Sequence, residues 1–174
     1  MDLALLTLRV IVGGLFAGHG CQKLFGWFGG HGPKGTAAFF ESVGLRPGLP
    51  SALLAGAAEL AGGLLLGFGL FVPVAALLLV GVMTTAVAAV HRKNGLWVTD
   101  GGFEYPLVLA AVAFAVAALG PGVISLDHVF GIEWAGVWWA AGAASVGVVG
   151  GLAAFALARI IRQSPRHAAQ ARAA

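Results

Sequence analysis

Residues 51–91 read SALLAGAAELAGGLLLGFGLFVPVAALLLVGVMTTAVAAVH, and Glu59 is the only carboxylate, lysine or arginine among them. A helix crossing a bilayer needs about 20 mostly apolar residues. The stretch is long enough for two crossings, and Pro73 shows where it divides. Proline is tolerated in the first turn of a helix and breaks a helix interior. Leu70–Pro73 therefore reads as a tight hairpin between a span from about Ser51 to Phe71 and a span from Pro73 to His91.

Working outward, three more apolar stretches appear: Leu3 to about Lys23, Tyr105–Leu119 and Trp134–Ala158. The whole chain has 174 residues, 59% of them apolar and 10% charged, with a mean hydropathy of +0.93. A soluble domain carries about 25% charge and about 45–50% apolar residues. The composition excludes a water-soluble globular domain and a disordered chain alike. The expected fold is all-α, a polytopic transmembrane helical bundle of five spans. The first apolar run has no basic region before it and no small-residue cleavage pattern after it, so it reads as a retained helix and not as a signal peptide.

Charge gives the orientation. Nine of the ten Lys and Arg lie between spans one and two, between spans three and four, or after span five; the tenth, Arg9, lies within span one. Positive residues mark the cytoplasmic side. A multi-pass protein of the cell membrane is expected, with its N-terminus outside and its C-terminus in the cytoplasm. The high pI of 9.6 is then a matter of topology and not of nucleic-acid binding. The single cysteine, Cys21, excludes an internal disulfide, a paired-cysteine redox motif and cysteine-based metal or iron–sulfur ligation. Residues 36–43 suggest a short interfacial helix ending at Gly44, and residues 120–133 form an outer loop around the Pro121–Gly122 turn signal.

Ionisable groups inside a span are costly and mark candidate sites. On span one, Arg9, Gly13, Phe16, Gly20 and Lys23 fall on one helical stripe. Span two carries Ala55, Glu59, Gly63 and Gly67 at four-residue spacing, a seam that permits close approach. Arg9 and Glu59 are the expected intramembrane ion pair, with depths about 9 Å apart at 1.5 Å of rise per residue. Span five has its own small-residue seam, Ala143, Gly147 and Gly151, and an aromatic anchor of Trp134, Trp138 and Trp139.

A second cluster ends three spans at the basic edge: His19, Lys23, His91, Glu104 and Tyr105. It reads either as ordinary helix-ending polarity or as a pocket for the headgroup of a quinone or similar amphiphile. The histidines would then move protons, and Phe25, Trp27 and Phe28 would cover a ring. His19 and His91 are also conceivable haem ligands, but histidines at helix ends are common and nothing else in the chain suggests haem. No other metal site and no catalytic constellation can be assigned, which leaves open whether the chain is an enzyme.

The run from Leu8-Arg9 through Gly14-Leu15-Phe16, His19-Gly20 and Lys23-Leu24-Phe25-Gly26 resembles the first helix of the DoxX family. Phe39-Phe40, Gly44-Leu45, Glu59-Leu60, Gly62-Gly63, His91, Asn94-Gly95, Gly102 and Glu104-Tyr105-Pro106 continue the resemblance, and Gly120-Pro121-Gly122 with Ser125-Leu126-Asp127 closes it. It covers residues 3–130. The resemblance implies a four-helix membrane domain over residues 1–130; the additional span over 131–160 and a basic, disordered cytoplasmic tail over 161–174, read from the residues, go beyond that pattern. It also implies association with a membrane redox system, quinone-linked or concerned with oxidative or sulfur stress, and hence protein partners or self-association in the membrane. Two other readings stand beside it. One is a non-catalytic scaffold or assembly subunit; the other is a small oligomeric transporter with Arg9 and Glu59 along its path.

Overall fold

The computed structural model describes residues 1–163; the expected disordered tail lies, from residue 164 on, outside the described residues. The chain forms seven α-helices in this region: α1 Asp2–Phe25, α2 Gly32–Ser42, α3 Gly48–Phe68, α4 Val72–Ala86, α5 Glu104–Leu119, α6 Leu126–Val129 and α7 Val137–Gln163. There is no strand among the described residues. The helix beginning with α4 continues through a π turn, Val87–His91, and a 3-10 turn, Arg92–Asn94, so its apolar rod runs from Val72 to Asn94. This rod, α1, α3 and α7 are each long and apolar enough to cross a membrane, and α5 is an apolar helix of 16 residues beside them. The fold is a polytopic membrane bundle. Short α2 lies where an interfacial helix is expected, and it ends before Gly44, whose φ of +89° is in the left-handed region.

The hairpin at Leu70–Pro73 is present. Gly69 and Phe71 both take left-handed backbone angles, and Pro73 sits at the second position of α4. Helix α4 is central and packs against α3, α5 and α7; α1 packs mainly along α3 and also touches α5. The core joins Phe16 of α1, Leu66 of α3, Leu79 of α4 and Val116 of α5, all at most 1% exposed. Outward-facing Val10, Ile11, Leu54 and Val149 are exposed apolar side chains, as lipid-facing positions should be.

Glycines set both close helix contacts. A Cβ on Gly13 would come 2.5 Å from Gly63 O, and one on Gly20 would come 2.8 Å from Gly56 O. No side chain fits there, so α1 and α3 meet backbone to backbone. The same holds between α4 and α7, where a Cβ on Gly151 would lie 2.5 Å from Gly81 O. Thr85 Oγ1 fastens this contact, its one hydroxyl proton shared between Gly81 O at 3.0 Å and Gly151 O at 3.1 Å. Thus α7 is a packed member of the bundle along its seam. Trp134 precedes it and lies with its ring centroid 5.4 Å from Phe71 and 5.6 Å from Trp139.

Candidate functional site: a lateral cleft and a buried arginine

The α1–α3 seam decides the intramembrane charges. Gly20 lies against Gly56 and Leu60, while Gly13 lies against Gly63 and Gly67. This register puts Lys23 beside Gly56 and the backbone of Arg9 beside Gly67. Glu59 is one turn from Gly56 but eight residues from Gly67, about 12 Å along the helix axis. Accordingly Glu59 pairs with Lys23, Nζ to Oε2 at 2.6 Å, and not with Arg9. The expected Arg9–Glu59 pair is corrected by this register. Depths along two separate helices do not say where antiparallel helices touch; the glycine contacts do.

Arg9 is instead held by the loop that follows α5. It is 1% exposed, and its Nη2 donates to the Ile124 carbonyl. Its guanidinium rests on Gly69, where a Cβ would overlap Nη1. The carboxylate of Asp127 acts on it electrostatically without a direct ion pair. Asp127 is itself 1% exposed and accepts from Phe71 N at 2.8 Å and from Val72 N at 3.4 Å, satisfying amides at the start of α4. The outer-loop reading of residues 120–133 missed this role. A signal was available: Ser125 caps the short helix α6 by accepting from His128 N at 3.2 Å, and a serine cap before an acidic first turn is a helix-start pattern.

At the opposite end of the bundle, α3 and α7 each pack on α4 and leave a cleft between them. Its volume is about 590 Å³, within the range of small-molecule sites. Its walls are overwhelmingly aliphatic. Lys23, Glu59 and His91 line it, and Phe39 and Phe40 of α2 close one side. Of the expected headgroup cluster, Lys23 and His91 both line this cleft, with the Lys23–Glu59 pair on the α1–α3 side and His91 at the end of the α4 rod. His19 is within electrostatic reach of Glu59 but does not line the cleft; its Nδ1 pairs with Gln22 Oε1 at 3.0 Å. Glu104 and Tyr105 are also outside it. Glu104 Oε2 accepts from Val98 N at 3.0 Å, which ties the start of α5 to the 92–103 loop, and Tyr105 is exposed. The expected ring cover Phe25, Trp27 and Phe28 faces outward, and Phe39 and Phe40 stand at the cleft in their place.

His91 belongs to the π turn, an irregularity often found at functional positions. Its Nδ1 is 2.8 Å from Gly101 O. A carbonyl can only accept, so Nδ1 carries the proton and Nε2 of the neutral ring is an acceptor. No group of three or more His, Cys, Asp or Glu able to hold a metal occurs among the described residues.

The cleft is apolar and opens between helices, with an ammonium–carboxylate pair and an imidazole among its lining residues, a shape and chemistry that can accommodate an amphiphile. The DoxX family model matches residues 4–92, from the start of α1 to the end of the π turn. The chain is also 32% identical over 126 residues to a Bacillus subtilis (strain 168) protein named "Putative oxidoreductase CatD", a match covering 72% of this chain and 86% of that one. The chain belongs to the DoxX family of membrane proteins. No solved structure matches it.

Proposed function

We propose that the chain is the membrane subunit of a redox-linked system and that it holds a quinone in the cleft between α3 and α7. The observation that carries this reading is a long aliphatic cleft whose ionisable lining residues are the Lys23–Glu59 pair and His91. Such a cleft takes an isoprenoid tail from the bilayer, and the Lys23–Glu59 pair meets the ring. Lys23 uses one of its donors on Glu59 and has two left for a carbonyl oxygen. His91 Nε2 suits a quinol hydroxyl. Electrons would be exchanged with a partner protein, in keeping with the name carried by the Bacillus relative. The Lys- and Arg-rich end faces the cytoplasm of a cell-membrane protein, as the positive-inside rule requires.

The test uses purified protein in nanodiscs with decylubiquinone and menaquinone-4 as probes. Gly150 lines the cleft, and a Cβ there meets nothing within 4 Å, so Gly150→Leu fills the cleft without moving the backbone. Gly142 is equally open and lies outside the cleft. Saturable binding of either probe is expected, weakened at least tenfold by Gly150→Leu and unchanged by Gly142→Leu. Absence of saturable binding, or equal binding in both variants, overturns the quinone reading and favours a scaffold role.

A further inference from the structure

A second cavity, of about 630 Å³, lies at the other end of α1 and α3, bounded by residues 123–126 and Val129. Its walls are mostly glycines and aliphatic side chains, with Phe68 and Ser125 among them, and Arg9 is its single charged lining residue. Arg9 is almost wholly buried, yet only Nη2 has a hydrogen-bond partner; Nε and Nη1 have none among the described residues. Buried donors are nearly always satisfied, and a buried cation is retained where something compensates it. Among the described residues Asp127 forms no ion pair with Arg9; its oxygens accept from the amides of Phe71 and Val72.

We infer that this groove is a second amphiphile site, in which Arg9 takes the anionic oxygen of an acyl-chain lipid, a carboxylate or a phosphate. The chemistry is complementary at both ends. A guanidinium binds such oxygens with charge-assisted hydrogen bonds. The groove floor of Gly13, Gly14, Ala17 and Gly63 has almost no side-chain relief and accommodates a chain lying along the helix seam. The site is separate from the cleft at Lys23 and shares no lining residue with it.

Native mass spectrometry of the full chain, released from mild detergent with oleate or dioleoyl-phosphatidylglycerol added against dioleoyl-phosphatidylcholine, tests the assignment. Gly14→Leu blocks the groove at a position where a Cβ meets nothing within 4 Å, so Arg9 and the helix seam are left intact. Val129→Trp, at an exposed position on the groove rim, is an independent block should Gly14→Leu fold poorly. One equivalent of oleate or of phosphatidylglycerol is expected on the wild type, and which one is retained tells a free fatty acid from a lipid headgroup. At least tenfold weaker retention is expected in a folded blocked variant, and no change in Gly150→Leu. Retention of neither anionic probe above phosphatidylcholine overturns the proposal, as does wild-type retention in a folded blocked variant.

Discussion

Lys23 and Glu59 face each other across the α1–α3 seam with Nζ and Oε2 2.6 Å apart, and the two are not equally buried. The Lys23 side chain is 21% exposed and that of Glu59 only 5%. The ammonium therefore has a route to water at the bundle edge, whereas the carboxylate depends on its partner.

That asymmetry predicts unequal single substitutions. Lys23→Met leaves a buried carboxylate without its cation and should cost about 3 kcal/mol, the low end for breaking a buried pair. Glu59→Gln should cost less, because Lys23 can extend to the interface. The double change Lys23→Met with Glu59→Gln should recover most of the loss. Thermal unfolding in mild detergent measures all three, and strictly additive effects would show that the pair has no coupling.

Asp127 holds the start of α4 from the loop beyond α5. Asp127→Asn keeps an acceptor for the Phe71 amide and should be mildly destabilising. Asp127→Ala strips both amides and removes the carboxylate nearest Arg9, and should cost about 2 kcal/mol or more, at the top of the range for a lost cap. Hydrogen exchange at Phe71 and Val72 should accelerate in the alanine variant. Unchanged exchange there would remove the capping role.

Neighbouring glycines on α1 should respond in opposite ways. A Cβ at Gly13 would enter the backbone of α3, so Gly13→Ala should destabilise by about 1–3 kcal/mol, as overpacking does. At Gly14 a Cβ meets nothing, so Gly14→Ala should be neutral or slightly stabilising through helix propensity. Thermal melts of the two variants side by side decide it; equal losses would contradict the seam.

Membrane orientation is checked by cysteine labelling in a Cys21→Ser background. Thr99 and Val129 are both exposed and lie at opposite ends of the bundle. A membrane-impermeant maleimide on intact cells should label Val129→Cys and spare Thr99→Cys. The reverse pattern would invert the proposed topology.

Much of this molecule was legible in the chain. Helix length, the hairpin at Pro73 and the glycine seams follow from hydropathy, from proline's missing amide and from four-residue spacing, all local properties. The buried face of α1 was equally legible: Arg9, Gly13, Phe16 and Gly20 are on the predicted stripe and are buried. What those residues touch was not legible. Depth alone assigns Glu59 to Arg9, and only the seam's register, set by which glycine meets which carbonyl, gives it to Lys23 on the same stripe.

The same limit governs the two cavities. The sequence by itself determined a multi-helix membrane bundle of the DoxX family and named Arg9, His19, Lys23 and Glu59 as ionisable groups in an apolar medium, because the energetic penalty of such groups in lipid is independent of the fold. Tertiary structure alone decided that Lys23, Glu59 and His91 share a cleft while Glu104 and Tyr105 stand apart, and that Asp127 folds inward beneath the hairpin. The physical reason is that α3 and α7 meet α4 on separate faces through small residues. The gap they leave is a property of three helices at once, and a one-dimensional pattern encodes each face but not the space between faces.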